Sequence, residues 1–226
     1  MIKIERLSKS YGANKILSNI SLTFTAGKVY GIVGENGAGK TTLFKCITGI
    51  EKHSGIITSN LQPLKNYIGY LPTEPFYFSK ITGREYIQLL CNARNKKLEN
   101  LETKNIFDLP LDQYAVTYST GMKKKLALTA ILLQENQFYI FDEPFNGVDI
   151  QSNTLILEIL RELKKMGKTL IISSHIFSTL SDVCDEILLL KNGEFTRKAC
   201  KEDYKKLEQE MKEIFIGKRI ENLQLK

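Results

Sequence analysis

Residues Gly34 to Thr42 read Gly-Glu-Asn-Gly-Ala-Gly-Lys-Thr-Thr, which fits the pattern G-x-x-x-x-G-K-[ST] at every fixed position. The stretch before it, Val29-Tyr30-Gly31-Ile32-Val33, is short and apolar and reads as a buried strand. The stretch after it, Leu43 to Ile47, opens a helix. Strand, glycine-rich loop and helix together can gather a polyphosphate. Gly34, Gly37 and Gly39 permit backbone conformations and close approaches that a Cβ blocks. The N–H groups of the loop, those of Glu35, Asn36 and Ala38 included, turn inward as an anion nest, and the helix adds its positive end. Lys40 supplies an ammonium for the β- and γ-phosphates, the Thr41 hydroxyl can ligate Mg²⁺, and Thr42 is placed to bond the α-phosphate.

The chain has 226 residues, 42% of them hydrophobic, which suits one large domain or one domain with an inserted lobe. No run of eighteen apolar residues is present, so no membrane-spanning helix is expected. Met1 to Glu5 goes straight into a strand-like alternation, and no secretory signal is expected. Cys46, Cys91, Cys184 and Cys200 form no C-x-x-C pair and read as reduced thiols without a metal role. His53 and His175 are too scattered for a zinc site. The net charge is +7, carried in short clusters: residues 94–97, 123–125 and 164–165. These read as solvated helix faces, with attraction to anionic headgroups as a secondary reading and nothing of a single-strand nucleic-acid binder.

Along the chain, Ile2 to Leu7 alternates as a strand, Ser8 to Gly12 reads as a turn, and Ile20 to Phe24 gives a second strand. These predict a small antiparallel β layer. Tyr11 is a candidate platform for adenine, and a stacked ring contributes about 1–3 kcal/mol. Gly55 to Thr58 and Tyr67 to Leu71 read as a strand pair. From Phe76 to Tyr118 the character becomes helical. Thr82 with Glu85 three residues on forms a capping box, Tyr86, Leu89, Leu90 and Ala93 form one apolar face, and residues 95–105 read as polar and mobile. Ser119 caps the next helix, with its lysines on a solvent face, and that helix N-terminus can seek phosphate.

Phe138 to Phe141 is a buried strand that ends in two carboxylates, Asp142 and Glu143. Such strand ends are where doubly wound sheets bind ligands. Asp142 can hold Mg²⁺ through water, and Glu143, one residue further out, can poise an attacking water. Thr169 to Ser173 is another buried strand, and it delivers His175 to the same edge, within reach of a γ-phosphate. Helix residues Ile156, Ile159, Leu160 and Leu163 lie between these strands. Asn192-Gly193 marks a hairpin of the I′ type. Residues 201–226 read as a charged helical tail with an apolar-spotted end at Ile214, Phe215 and Ile216.

With these motifs in this order, the chain resembles the ATP-binding subunit of an ABC transporter over residues 1 to about 200. Gly34 to Thr42 matches Walker A, and Phe138 to Glu143 matches Walker B with its catalytic glutamate. Ser119-Thr120-Gly121-Met122 is similar to the family signature, Asn146 to Asp149 to the D-loop, His175 to the switch histidine, and Tyr11 to the adenine-stacking aromatic. The resemblance implies an α/β fold, a P-loop NTPase of ABC type. Its core is a mostly parallel sheet, with an antiparallel β layer and a helical lobe inserted over about 76–135. It also implies ATP and Mg²⁺ as ligands. Two subunits, identical or homologous, form a head-to-tail dimer with the signature completing each site in trans. A membrane-spanning permease is the partner, at the cytoplasmic face of the membrane. The Ser-x-Gly-Met form and the short lobe lean toward export. Two departures stand out: Thr73 occupies the position where the family carries Gln, and Thr120 replaces the first signature glycine. The alternative class, a soluble ABC ATPase acting on nucleic acid or ribosomes, generally carries two ATPase domains or long insertions, and neither is seen between Lys40 and Ser119.

Overall fold

A computed structural model describes residues 1–215. The strands are β1 (Ile2–Tyr11), β2 (Asn14–Phe24), β3 (Val29–Val33), β4 (Ser54–Ser59), β5 (Ile68–Leu71), β6 (Phe138–Asp142), β7 (Thr169–Ser173), β8 (Glu186–Lys191) and β9 (Glu194–Cys200). The helices are α1 (Lys40–Ile47), α2 (Gly83–Asn92), α3 (Leu101–Lys104), α4 (Thr120–Leu133), α5 (Ile150–Lys165), α6 (Phe177–Ser181) and α7 (Tyr204–Phe215). A six-stranded sheet runs in the order β5-β6-β7-β3-β8-β9, parallel except for β9. A second, antiparallel sheet has the order β2-β1-β4. This is the expected α/β architecture.

Alternation along the buried strands divides the core in two, because successive side chains point to opposite faces. Val29, Val33, Tyr139, Phe141, Leu170 and Ile172 face the side covered by the lobe, α5 and α7. Tyr30, Ile32, Phe138, Ile140 and Ile171 face α1 and the antiparallel sheet. A sheet covered on both sides has no use for polar alternation, so its strands are continuous apolar runs. Each such side chain contributes about 1.5–3 kcal/mol by burial.

Several expectations need correction. Residues 8–11 continue β1, and the turn falls at Gly12, where φ is +57. The segments 55–58 and 67–71 are not partners. Ile57 of β4 pairs with Ile4 in the antiparallel sheet, whereas β5 pairs with β6. Thr82 and Glu85 form the capping box. The buried stripe of α2, however, is Gly83, Ile87 and Cys91, one residue round from the expected face, and Leu89 and Ala93 point outward. Within 95–105 the chain forms α3, anchored by the buried Leu101. Nor do the lysines of α4 form a solvent face, since Lys124 is buried. Tyr204, Leu207 and Met211 seat α7 on the core. The end of the tail, with the side chains of Ile214 and Phe215 and residues 216–226, lies outside the described residues.

The Asn192-Gly193 turn joins β8 to β9 and also braces the glycine-rich loop: Gly193 donates to the Ala38 carbonyl at 3.2 Å and accepts from Ser18 N–H at 3.0 Å. Gly193 has φ +78, and an added Cβ would lie 2.2 Å from the Ile16 carbonyl oxygen. Gly193→Ala is therefore expected to cost about 1–3 kcal/mol, seen as a lowered midpoint in urea unfolding. An unchanged midpoint would show that the turn relaxes freely.

Candidate nucleotide site

The loop between β3 and α1 folds back tightly. A Cβ at Gly34 would lie 2.4 Å from the Leu190 carbonyl oxygen, and one at Gly39, which has φ +108, would lie 2.7 Å from Leu17 Cδ2. Both positions therefore need glycine. Gly39 is also the N-cap of α1 and offers no side-chain acceptor, so the first N–H groups of the helix remain for a ligand. Lys40 is buried and donates to the carbonyls of Gly34 at 2.7 Å and Glu35 at 3.2 Å. Burial pushes its pKa down, and Glu143 and Asp142 oppose that.

A cleft of about 490 Å³ opens over this loop. Besides the loop itself it is lined by Tyr11 and Ile16 from the antiparallel sheet, Thr41 and Thr42 from α1, and Thr73, Asp142, Glu143 and Asn146. Tyr11 is 44% exposed, with the Lys9 ammonium 4.5 Å from its ring centroid. Asp142 is 0% exposed and accepts from the Thr41 hydroxyl at 2.6 Å and the Ser173 hydroxyl at 2.6 Å. Glu143 stands in the left-handed region at φ +52. Its N–H donates to Ser173 Oγ at 2.9 Å, and its carbonyl accepts from Lys124 Nζ at 2.8 Å. Its carboxylate lies 3.0 Å from His175 Nδ1 through one oxygen and 3.9 Å from Lys40 Nζ through the other. A carboxylate so placed can take a proton from a water held above the loop.

The fold thus gathers Tyr11, Glu35, Asn36, Gly37, Gly39, Lys40, Thr41, Thr42, Thr73, Asp142 and Glu143 around one cleft, with His175 reaching it through Glu143. It does not bring Ser119, Thr120, Gly121, Met122 or Asp149 there. Ser119 and Thr120 are exposed at the start of α4, where Ser119 Oγ accepts from Met122 N–H at 3.2 Å. An added Cβ on Gly121 would meet the Gly147 carbonyl oxygen at 2.6 Å, so this helix start and the loop before α5 form one outward surface. Asp149 caps α5 through Ser152 and pairs with Lys125 at 2.7 Å. The Lys125 hydrogen bond, then those from Ser152, hold the Asp149 carboxyl well below the usual range.

Two contributors are not singled out by the sequence. Ser173 shows only as a polar residue closing an apolar strand, and Lys124 only as the middle of a lysine run.

A family model described as ABC transporter matches residues 17–146. The ABC-type transporter ATP-binding protein EcsA of Bacillus subtilis is 30% identical over 209 residues, which cover 86% of this chain and 85% of that protein. A solved ATP-binding subunit of an ABC transporter superposes with a TM-score of 0.80 at 27% identity, covering 92% of this chain and 93% of that one. A dimeric ATP-binding cassette in a post-hydrolysis state, bound to ADP and Pi, shares the fold with a TM-score of 0.80 at 20% identity, over 89% and 99% of the two chains.

Ser173→Ala removes the donor to Asp142 and leaves the Glu143 N–H buried without an acceptor. The expected loss is about 1–3 kcal/mol of folding stability, measured as a lower denaturation midpoint. A variant as stable as the parent would show that neither group depends on the hydroxyl.

Proposed function

The chain belongs to the ABC transporter family as an ATP-binding subunit and is an ATPase, and on that premise we propose that it is the motor of an exporter. Two such subunits, identical or homologous, close head to tail around two ATP and drive a separate membrane-spanning subunit. The observation that carries this reading is the division of polar groups between two surfaces. The cleft over the glycine loop holds donors and carboxylates, whereas the Ser119-capped helix start faces outward, away from the cleft of its own chain. A helix N-terminus with an exposed serine favours an anion, and the anion that fits is the γ-phosphate held by a second subunit. Ser119 and the Gly121 backbone then complete the partner's site, with Thr120, Met122 and Asp149 at the same face.

Within each site, Tyr11 stacks on adenine, the loop N–H groups and Lys40 hold the phosphates, and Glu143, steadied by His175, takes the proton of the attacking water. Mg²⁺ fits the donors present. Thr41 and Asp142 are hard oxygen ligands that meet at 2.6 Å. No cage of three or more His, Cys, Asp or Glu exists among the described residues, which suits an ion that keeps waters and takes phosphate oxygens. When bound, the ion would neutralise charge on the phosphate oxygens.

The membrane partner has a candidate seat. A second cleft of about 470 Å³ lies between α1, β5, α2 and α4 and includes Ile50, Pro72, Glu74, Pro75 and Phe76. Phe76 is 73% exposed and packs edge-on against the exposed Phe78 at 5.3 Å. Paired exposed aromatics at a groove mark a protein contact. No described helix is long and apolar enough to cross a membrane, consistent with a peripheral subunit at the cytoplasmic face. Export is favoured by the Ser-x-Gly-Met signature and the short lobe.

Glu143→Gln is expected to keep ATP binding, to lower turnover about 10²–10⁴-fold and to accumulate an ATP-bound dimer on a sizing column. Normal hydrolysis by this variant would remove Glu143 from the base role. Wild-type protein is expected to capture a multi-span hydrophobic protein from detergent-solubilised membranes, and Phe76→Asp to lose it. Salt-sensitive capture of ribosomes or nucleic acid instead would move the assignment to the alternative class.

A further inference from the structure

Three consecutive residues near the start of α4 are tied to three distant parts of the chain. The Tyr77 hydroxyl donates to the Lys123 carbonyl. The Lys124 ammonium donates to the Glu143 carbonyl at 2.8 Å, and the Lys125 ammonium pairs with Asp149 at 2.7 Å. The middle tie is the unusual one. Lys124 is 2% exposed, and a lysine is almost never fully buried unless paired. An apolar side chain of similar volume would fill this space at a lower desolvation cost. Packing alone does not call for an ammonium here. Its charge faces Glu143, Asp142 and Glu74, which are the two strand-end carboxylates and one on the loop after β5.

Glu143 is also the residue that needs holding. A non-glycine side chain at φ +52 persists only where its surroundings over-determine the backbone. Ser173 fixes the N–H and Lys124 fixes the carbonyl. With both ends of the residue held, its carboxylate is directed between His175 and Lys40.

We propose that Lys124 is a positioning residue for hydrolysis: it clamps the Glu143 carbonyl, and so ties the aim of the Glu143 carboxylate to the seating of α4. The inference rests on the reading of Glu143 as the base. It has a mechanical consequence. Because α4 presents Ser119 to the outside, any shift of this helix against a second subunit is passed directly to the catalytic carboxylate of its own chain.

The test compares steady-state ATP hydrolysis by Lys124→Met, Lys124→Leu, Lys124→Arg and Glu143→Gln in the full chain. Both apolar variants are expected to lose about ten- to hundredfold in kcat, the scale of a small misplacement of a reacting group. KM for ATP should stay within about twofold, because ground-state binding is untouched. Lys124→Arg, which keeps a donor, is expected to recover most of kcat. Unchanged kcat in a folded apolar variant overturns the proposal. So does a rise in KM that accounts for the whole loss, or an Arg variant no faster than Met. Failure of both apolar variants to fold makes Lys124 a packing residue and overturns it too. If Glu143→Gln hydrolyses normally, the base assignment itself has failed. If Glu143→Gln is slow while Lys124→Met is not, only the positioning role has failed.

Discussion

A carboxylate with no exposed surface sits at the end of β6, and the site is arranged around supplying it with hydrogen-bond donors. Burying an unpaired carboxylate costs several kcal/mol even after relaxation, so Asp142 needs donors, and it has the hydroxyls of Thr41 and Ser173. Each donor depends on a different part of the fold. Thr41 is delivered by the start of α1, directly after Gly39. Ser173 is delivered by the β6–β7 register, in which Asp142 stands opposite Ser173. A hydroxyl can donate once and still accept, and the same Ser173 oxygen receives the Glu143 N–H. A slip of one residue in that register would send Ser173 to the other face; Asp142 would lose one of its two donors and the Glu143 N–H its acceptor.

The glycine loop imposes the second constraint, because it must lie close to two other segments. Gly34 packs against the Leu190 carbonyl and Gly39 against Leu17, while the Gly193 turn bonds both Ala38 and Ser18. The antiparallel sheet and the β8–β9 hairpin therefore support the loop from behind. This is the structural use of the small β layer: it carries Tyr11 and Ile16 to the rim of the cleft and closes the space that the glycines leave.

What was legible in the sequence was whatever is decided locally. Continuous apolar runs announced β3, β6 and β7, the Thr82–Glu85 pair announced the start of α2, and Asn192-Gly193 announced a hairpin. Walker A was legible because a polyphosphate needs contiguous backbone donors. Features decided by distant partners were hidden. Nothing near Ile57 or Ile68 says which sheet each joins, since both sit in short apolar runs. Periodicity alone places the face of α2 one residue off, because Tyr86 and Leu90 are themselves partly buried beside the stripe of Ile87 and Cys91. Lys124 looked like solvent-facing charge because its acceptor lies 19 residues on. Ser173 looked like a strand end because the carboxylate it holds lies 31 residues back.

Thr73 shows how a departure from an expected residue can be absorbed by geometry. Thr73 lines the nucleotide cleft, and its neighbour Glu74 lines the groove beside Phe76. Both belong to the short stretch that follows β5, and β5 pairs with β6, the strand that carries Asp142. The two concave surfaces therefore share one piece of backbone. A long side chain at position 73 would reach across the cleft, whereas threonine cannot. Any displacement of Pro72 to Phe76 by a partner in the groove still moves the wall of the nucleotide cleft, because the chain itself is the connection. Glu74 also faces the Lys124 charge, so the same stretch acts electrostatically on the ammonium that holds the Glu143 carbonyl.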